Sequence, residues 1–252
     1  MVVAVVIAII QARLGSERFP RKMLADLCGR PVIRHVVDRA LQIHGVDRVI
    51  VATPSWADML AIGAVLPEDE RLSVFCAAVE ENDVLGRFVA ALESYPECDT
   101  VMRLTGDTPL LQPNVCERVL ALEDGTEYCW TDTHSGEWPD GLDCEVFPRR
   151  LLTAAHEQAT DPSHREHVTS WMREHAAVFA LPPDPDYAGW LKCSIDTEED
   201  LEVVRQFMQR QANKKGTATI AHVVRWAENT KELQRNLAEG LKQIDALGNS
   251  DS

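Results

Sequence analysis

The sequence predicts an α/β fold, a three-layer α/β/α sandwich with a mostly parallel central sheet. Residues 1–10 form a nearly unbroken apolar run rich in Val and Ile, which is typical of a strand buried on both faces of such a sheet. Residues 46–53 predict a second strand. Between the two, residues 31–44 predict a helix with Pro31 near its start and Gly45 just after its end. This order matches a parallel βαβ crossover.

The rest of the chain continues the alternation of helices and strands. Predicted helices cover residues 57–66, 114–123, 150–160 and 162–175. A further helix is predicted to follow Asp83 within the segment 81–96, and another begins near residue 198. Predicted strands cover residues 72–76, 99–104, 127–131, 142–147 and 190–195. We expect one domain at residues 1–212 and an amphipathic helical tail at residues 213–252. The apolar stripe of that tail suits packing on the same domain or on a second subunit.

Composition limits the class of protein. The chain has 252 residues, a net charge of −15 and a pI near 4.9. Nucleic acids and anionic membranes bind basic surfaces, so we expect neither as a partner. The apolar amino-terminal run is too short to span a bilayer and lacks the charged start of a signal peptide. Seven scattered cysteines without a C-x-x-C pair indicate reduced thiols in a cytoplasmic protein.

The first predicted strand is followed by a basic, glycine-containing loop that carries Arg13, Gly15, Ser16, Arg18 and Lys22. In open α/β sheets, ligands bind beyond the carboxyl ends of the strands, and cations with backbone N–H groups suit a triphosphate. The loop is not a Walker A element, which needs a second glycine before the lysine and a hydroxyl after it. The alternative is a solvated basic surface loop, which the net charge of −15 disfavours.

A second polar position follows the predicted strand at residues 99–104. Asp107 comes directly after Thr105 and Gly106, at the strand end that faces the same crevice as the basic loop. Mg²⁺ in proteins prefers one or two carboxylates together with phosphate oxygens and waters. The position therefore predicts that Asp107 is a metal ligand, and an Asx turn with Gly106 is the structural alternative.

Further polar residues cluster in the middle of the chain. Asp140, Asp143 and Glu145 lie around a predicted strand, with the last two on one face, where they either accept sugar hydroxyl hydrogen bonds or form a solvated face. Arg165 and His167 lie on a predicted helix and suit a carboxylated or phosphorylated acceptor, or are ordinary surface charge. Four histidines recur nearby without a thiol or an HExxH arrangement, so we expect no zinc site; they are His156, His164, His167 and His175.

Several ordered blocks carry a resemblance to a known family. The opening string is QARLGSERFPRKMLADLCGRPVIRHVVDRA, and the later blocks are ENDVLGRFVAAL, RLTGDTPLLQP, PDGLDCEVF, REHVTSWM and SIDTEEDLEVV. Together they resemble the cytidylyltransferases that make CMP-activated acidic sugars, typified by CMP-Kdo synthetase, and most closely the SpsF-type spore-coat polysaccharide branch. The resemblance covers most of residues 1–210. It implies the Rossmann-like sheet of nucleotide-diphospho-sugar transferases and a homodimer.

The resemblance also implies a reaction and its residues. CTP and a small anionic acceptor would react with Mg²⁺ as cofactor, and CMP would be joined to the acceptor as pyrophosphate leaves. We expect Arg13, Lys22, Asp107 and Asp196 to be catalytic. The implied nucleotide-binding residues are Ala12, Arg13, Gly15, Ser16, Arg18, Lys22, Asp83, Arg103 and Thr105. The acceptor would contact Asp140, Asp143, Glu145, Arg165 and His167.

Two of these residues have a simpler interpretation. Asp83 and Asp196 each precede a predicted helix, where Asp is a common amino-terminal cap. For Asp196 the local pattern favours a cap, and the family resemblance makes it the second magnesium ligand beside Asp107.

Other functions stay open at this stage. Thr108 replaces the acidic residue that CMP-Kdo synthetases carry after the metal aspartate, so Kdo is a poor candidate for the acceptor. No residue type compels cytosine over guanine or uracil. The alternatives are a sugar-nucleotide pyrophosphorylase or glycosyltransferase of similar fold, or a non-catalytic nucleotide-binding module.

Overall fold

The computed structural model describes residues 4–122, 127–184, 187 and 191–212. The strands are β1 Val5–Gln11, β2 Asp26–Leu27, β3 Arg30–Pro31, β4 Arg48–Thr53, β5 Leu72–Cys76, β6 Cys98–Thr105, β7 Tyr128–Trp130, β8 Glu145–Pro148 and β9 Val178–Ala180. The helices are α1 Val32–Ala40, α2 Trp56–Gly63, α3 Val84–Ala91, α4 Pro113–Leu120, α5 Arg149–Gln158, α6 Pro162–His167, α7 Ser170–His175 and α8 Glu198–Ala212. A 3-10 turn covers Lys22–Leu24.

The central sheet has seven strands in the order β5-β4-β1-β6-β8-β7-β9. Strands β5, β4, β1 and β6 are parallel, β8 is antiparallel to both of its neighbours, and β9 is parallel to β7. Because the four parallel strands share one direction, their carboxyl ends meet at one edge of the sheet. The predicted mostly parallel sheet is confirmed.

Helices cover both faces of the sheet, because β1 alternates its buried side chains between two hydrophobic cores. Ala8 and Ile10 pack in the core that contains residues of α1, α4 and α8, which we call the α1 face. Ile7 and Ile9 pack in the core that contains residues of α3, α5 and α7, which we call the α3 face. These two cores form the three layers that the apolar run of the first strand predicts.

Two predicted elements were wrong. The helix predicted at residues 162–175 is divided into α6 and α7 by Val168, whose φ of 58° and ψ of −60° are incompatible with a continuous helix. The strand predicted at residues 190–195 is absent from its described part, residues 191–195, where Lys192 makes only an isolated bridge with Asp140. The helix predicted at residues 31–44 is shorter and forms α1, Val32–Ala40. The helix predicted to follow Asp83 forms α3, which begins at Val84 as expected and ends at Ala91.

Other predictions concern the chain ends and the cysteines. The helical tail at residues 213–252 lies outside the described residues. None of the helices in the described part of the chain has the length and apolar character that a membrane span needs. All seven cysteines are free thiols.

Candidate active site

A cavity of about 760 Å³ lies at the carboxyl ends of the parallel strands. Its walls come from the loop after β1, the start of α3, the end of β6, the end of α6 and the residue that precedes α8 by two positions. Many of the predicted site residues line it: Ala12, Arg13, Gly15, Ser16, Arg18, Lys22, Arg103, Thr105, Asp107, His167 and Asp196. The structure thus brings residues from distant parts of the sequence to one place.

The loop after β1 is held at both ends by hydrogen bonds. The Leu14 N–H donates to Oδ2 of Asp58 on α2 at 2.9 Å, and the Arg21 N–H donates to the Leu14 carbonyl at 2.9 Å. The second bond closes the loop, so that the 3-10 turn beginning at Lys22 follows directly. Arg13 and Arg18 stay partly exposed on this fixed loop, with side-chain exposures of 49% and 67%. Both guanidinium groups are therefore available to an anionic ligand.

Lys22 joins the two carboxylates that the sequence places far apart. Its side chain is buried, and Nζ donates to Oδ2 of Asp107 at 2.7 Å and to Oδ1 of Asp196 at 3.2 Å. The Ile195 carbonyl accepts a third hydrogen bond from Nζ at 2.8 Å. Asp107 and Asp196 therefore lie on either side of one ammonium group, and their oxygens face a common point.

Asp196 is not the cap of α8. Thr197 has that role, because its Oγ1 accepts from the Asp200 N–H at 3.2 Å, and Oδ2 of Asp200 accepts in return from the Thr197 N–H at 3.0 Å. This reciprocal pair is a capping box. The Asp196 carboxylate instead meets cations, at 3.0 Å from Arg18 and 3.3 Å from Lys192. Burial acts to raise the pKa of Asp196, but the charges of Lys22 and Lys192 outweigh it and lower that pKa.

The chemistry of this pair of carboxylates fits Mg²⁺. Asp107 and Asp196 offer hard oxygen ligands, and Mg²⁺ in nucleotide sites is commonly held by one or two carboxylates plus phosphate oxygens. Within the described residues, no cluster of three or more His, Cys, Asp or Glu side chains forms a metal site. This arrangement is unlike a zinc site, which needs three or four protein ligands.

Asp83 and Arg165, which sequence reasoning assigned to different ligands, bind each other. Nη2 of Arg165 lies 2.8 Å from Oδ2 of Asp83. Oδ1 of Asp83 accepts from the Gly86 N–H at 2.9 Å, so Asp83 is the amino-terminal cap of α3. Burial acts to raise the pKa of Asp83. The hydrogen bonds from Arg165 and from the Gly86 N–H together outweigh burial, so the pKa is lowered. This ion pair joins α3 to α6 and lies outside the cavity lining.

The three predicted acceptor acids also lie outside the cavity lining. Glu145 is buried and accepts from Nη1 of Arg103 at 2.7 Å, so it supports a cavity residue from behind. Asp143 accepts from the Thr133 hydroxyl at 2.7 Å and from the Gly141 N–H at 3.0 Å. Asp140 is exposed at its bridge to the segment that contains Lys192. Direct contact of these acids with an acceptor stays an untested prediction, which this geometry does not favour.

A comparison with known protein families identifies the family of this chain. A family model described as "Cytidylyltransferase" matches residues 7–248. The chain belongs to the cytidylyltransferase family. This membership confirms the resemblance that the sequence blocks carry.

Individual cytidylyltransferases and related proteins agree with this assignment. The chain is 41% identical over 210 residues to a 3-deoxy-manno-octulosonate cytidylyltransferase from Anaeromyxobacter sp. (strain Fw109-5), covering 79% of this chain and 83% of that protein. It is 29% identical over 221 residues to the spore coat polysaccharide biosynthesis protein SpsF from Bacillus subtilis (strain 168), covering 83% and 88%.

Solved structures share the fold. A cytidylyltransferase from Leptospira borgpetersenii serovar Hardjo-bovis (strain JB197) matches with a TM-score of 0.77 and 23% identity, over 90% of this chain and 94% of that one. The CMP:2-keto-3-deoxy-manno-octonic acid synthetase complexed with CTP matches with a TM-score of 0.59 and 20% identity, over 82% and 100%. At these identities the likeness concerns the cytidylyltransferase fold alone.

Sequence reasoning missed several cavity residues of this family member. Gln11, Glu81, Asn82, Arg87 and Glu166 line the cavity but were not predicted as site residues. Two of the quoted blocks, ENDVLGRFVAAL and REHVTSWM, contain four of these five residues. Their positions next to the predicted residues Asp83 and His167 were the available signal.

A strained turn directs the end of α6 toward the cavity. The Thr169 N–H donates to the His167 carbonyl at 2.5 Å across Val168, which gives a classic γ-turn with φ of 58° and ψ of −60°. Val168 is a β-branched residue in a disfavoured conformation, and its side chain is fully buried on the α3 face. Burial of Val168 thus holds a turn that leaves Glu166 and His167 at the cavity wall.

Proposed function

We propose that this protein is a CTP-dependent cytidylyltransferase that joins CMP to an acidic sugar or a related carboxylate, phosphate or phosphonate acceptor and releases pyrophosphate. One observation carries the proposal. Lys22 bridges Asp107 and Asp196 at distances of 2.7 and 3.2 Å, at the end of a basic loop in a cavity of about 760 Å³. A cation-rich loop beside paired carboxylates suits a metal-bound triphosphate.

The loop residues would bind and orient the triphosphate. Arg13 and Arg18 approach from the exposed side of the loop, whereas Lys22 approaches from its buried side. Phosphoryl transfer depends mainly on positioning and charge neutralisation. The three cations would therefore stabilise the negative charge that develops on pyrophosphate as it leaves, and Gly15 with Ser16 would add backbone donors.

Mg²⁺ is the proposed cofactor, with Asp107 and Asp196 as its protein ligands. Bound there, it would polarise the α-phosphate and neutralise phosphate charge. The lowered pKa of Asp196 keeps its carboxylate ionised, as a metal ligand must be.

The acceptor would enter from the side of the cavity formed by β6 and α6. Arg103, Glu166 and His167 all line the cavity. The family resemblance assigns Arg103 to the nucleotide, whereas its ion pair with Glu145 and its place on β6 lead us to assign it to the acceptor instead. Arg103 carries a guanidinium fixed by Glu145, and His167 adds a second donor at the end of α6. An anionic acceptor suits these groups better than a neutral sugar does.

A homodimer is the proposed assembly. Strand β9 pairs with β7 on one side only in the described part of the chain, and Val178 and Phe179 on it are exposed to 39% and 52%. A second copy that covered this edge would remove both apolar side chains from water. Sedimentation of the full chain across a concentration series tests this assembly.

The decisive experiment measures pyrophosphate release with each of the four ribonucleoside triphosphates and a panel of acidic sugars, phosphosugars and phosphonates. We expect release with CTP, dependent on Mg²⁺ and on one class of anionic acceptor. Asp107→Asn serves as the inactive control. Release with UTP or GTP in place of CTP would favour another sugar-nucleotide pyrophosphorylase, and nucleotide binding without release would favour a non-catalytic module.

A further inference from the structure

Lys192 contacts Asp196, one of the two proposed metal ligands, from outside the cavity. Its side chain is 25% exposed, and Nζ lies 3.3 Å from Oδ2 of Asp196 and 2.6 Å from Oδ2 of Asp200. Lys22 and Arg18, the other two cations that meet Asp196, line the cavity, whereas Lys192 does not. Lys192 therefore acts on a bound ligand only through Asp196.

The two carboxylate oxygens of Asp196 have different partners. Oδ1 lies 3.2 Å from Nζ of Lys22 and 3.0 Å from Nη2 of Arg18, and both of these residues line the cavity. Oδ2 lies 3.3 Å from Nζ of Lys192. One oxygen is thus directed toward the cavity, and an ammonium group outside the cavity holds the other.

Lys192 is itself fixed in place. Its Nζ donates to Oδ2 of Asp200, whose side chain is only 10% exposed. The backbone of Lys192 makes an isolated bridge with Asp140, and the Asp140 carbonyl accepts from the Cys193 N–H at 2.6 Å. The ammonium group cannot follow a rotation of the Asp196 side chain without losing its hydrogen bond to Asp200. Lys192 therefore restrains the orientation of the Asp196 carboxylate.

The backbone of Asp196 is fixed relative to Asp107. The Ile195 N–H donates to the Asp107 carbonyl at 2.9 Å, which joins the two segments that carry the proposed metal ligands. The Asp196 N–H donates to Oδ2 of Asp200 at 2.9 Å. With the backbone held on both sides, the main remaining freedom of Asp196 is rotation of its side chain, and this is the motion that Lys192 restrains.

The orientation of a carboxylate affects which cation it suits. Mg²⁺ is small, demands near-ideal octahedral geometry and usually keeps several waters, so it is bound by few protein oxygens. Ca²⁺ is larger, takes six to eight oxygens in flexible geometry, and accepts both oxygens of one carboxylate. A carboxylate that presents a single oxygen therefore suits Mg²⁺, whereas one that is free to present both also suits Ca²⁺.

We infer that Lys192 is a positioning residue that holds Oδ2 of Asp196 away from the bound cation, so that Asp196 offers Oδ1 alone and the site prefers Mg²⁺ and Mn²⁺ to Ca²⁺. This inference rests on the proposed function and adds the choice of metal ion to it. Residues that orient a metal ligand typically change metal affinity or activity by about 10–100-fold.

The experiment is electron paramagnetic resonance of Mn²⁺ bound to the full chain in the presence of CTP, with Ca²⁺ as the competitor. It gives the ratio of the Mn²⁺ affinity to the Ca²⁺ affinity. Lys192→Met removes the ammonium group and keeps an unbranched side chain, and we expect the ratio to fall about tenfold. Loss of a positive charge strengthens the binding of both divalent cations by the same electrostatic effect, so the ratio reports orientation rather than charge.

Three further variants support the interpretation. Lys192→Arg keeps the charge and can pair with both carboxylates, so it should retain the wild-type ratio. Arg34→Met removes a cation of similar exposure, 29%, from its ion pair with Asp38 outside the cavity lining, and should also leave the ratio unchanged. Lys192→Gln removes the charge that holds Oδ2 but keeps a side-chain donor. It should lower the ratio as Lys192→Met does, and it provides the test if Lys192→Met does not fold.

Two results in a folded variant would overturn the inference. Equal changes in the Mn²⁺ and Ca²⁺ affinities would mean that Lys192 acts through its charge alone. Unchanged affinities with a lower melting temperature would make Lys192 structural. Pyrophosphate release by the wild type is measured in the same series. Release by the wild type with an unchanged ratio in Lys192→Met would overturn this inference and leave the proposed function standing, whereas a wild type that neither binds Mn²⁺ nor releases pyrophosphate would overturn both.

Discussion

Arg103 and Glu145 form an ion pair beneath the cavity, with Nη1 of the arginine 2.7 Å from Oε2 of the glutamate. The other carboxylate oxygen, Oε1, accepts from the Thr169 hydroxyl at 3.2 Å. Burial acts to lower the pKa of Arg103, but the Glu145 charge outweighs it and raises that pKa. Glu145 is therefore a positioning residue for Arg103 in the proposed reaction, and Arg103 is the side chain that faces the ligand.

Glu145→Gln should destabilise the protein and misplace Arg103. Removing one charge of a buried pair leaves the other uncompensated, which typically costs about 3–5 kcal/mol. Chemical denaturation measures the loss of stability. In the folded variant the acceptor KM should rise while CTP affinity is retained. A double-mutant cycle with Arg103→Gln should show strong coupling in KM, and additive effects would mean that the two residues act separately.

Lys22→Met should weaken CTP binding and also lower stability. The sequence places Lys22 in a basic loop, but in the structure its side chain is buried between two carboxylates. Without the ammonium, Asp107 and Asp196 repel each other, and the lost phosphate contact should reduce CTP affinity by about tenfold or more.

Arg18→Met is the matched control for Lys22→Met. Arg18 also pairs with Asp196, at 3.0 Å, but its side chain is 67% exposed. Exposed ion pairs contribute little to stability. The melting temperature should therefore fall in Lys22→Met and stay near the wild-type value in Arg18→Met. Equal melting temperatures in both variants would contradict a structural role for the buried ammonium.

The sequence predicts the first βαβ unit well because its signals are local. Residues 1–10 and 46–53 are apolar enough to be buried wherever they lie, and Pro31 and Gly45 limit the helix between them. The site loop follows from this unit, because a basic loop after a buried strand must lie at the carboxyl edge of the sheet. Most of its residues, from Ala12 to Lys22, accordingly line the cavity.

Side-chain partners could not be predicted because they depend on the assembled fold. Asp83 and Arg165 are separated by 82 positions, and Arg103 and Glu145 by 42. No local pattern specifies such pairs, so sequence reasoning assigned Asp83, Arg165 and Glu145 to ligands, whereas the structure places all three outside the cavity lining and in ion pairs. The break at Val168 is similar, since nothing in REHVTSWM marks a γ-turn, and the burial of Val168 that accompanies the turn depends on the assembled core.

His35 should make stability depend on pH. Burial lowers the pKa of His35, and its Nε2–H donates to the Leu27 carbonyl at 2.7 Å. The unfolded chain, with a histidine pKa of about 6.5, binds a proton more readily than the folded one. This contribution to stability is therefore complete above pH ~6.5 and is lost as pH falls through the lower folded pKa.

The free energy of unfolding is measured by denaturant titration between pH 5.5 and 7.5. This interval covers about one pH unit on either side of the ordinary histidine pKa. His35→Gln keeps a donor for the Leu27 carbonyl and does not titrate. The stability of the wild type relative to His35→Gln should decrease as pH falls. A constant difference across the range would show that His35 is not the titrating group.

Gly141→Ala should disturb the segment that leads to Asp196. Gly141 has a φ of 98°, and a Cβ there would lie 2.5 Å from the Ser194 N atom and 2.6 Å from the Cys193 carbonyl carbon. Neither backbone atom can move without shifting the segment. Gly136→Ala is the matched control, because Gly136 has a φ of 78° and nothing within 4 Å of its Cβ position. Both variants carry the strain of a positive φ, which costs about 1–3 kcal/mol. The clash should therefore appear as a larger loss of stability in Gly141→Ala than in Gly136→Ala, together with a loss of Mn²⁺ binding in Gly141→Ala alone.

Asp196→Asn separates a metal ligand from a structural residue. Asn is about as good a helix cap as Asp, but Thr197 caps α8 here, so the substitution leaves that cap unchanged. It removes the charge that a hard cation requires.

Mn²⁺ binding in the presence of CTP is measured by electron paramagnetic resonance. We expect Mn²⁺ to bind more weakly to both Asp196→Asn and Asp107→Asn, and turnover to fall by orders of magnitude. Asp200→Asn is the comparison, because Asp200 binds Lys192 and the backbone N–H groups of Asp196 and Thr197 but does not line the cavity. It should reduce melting temperature more than metal affinity. Full Mn²⁺ binding and full turnover in Asp196→Asn would show that the second ligand lies elsewhere and that Asp196 serves only to hold Lys22, Arg18 and Lys192 in place.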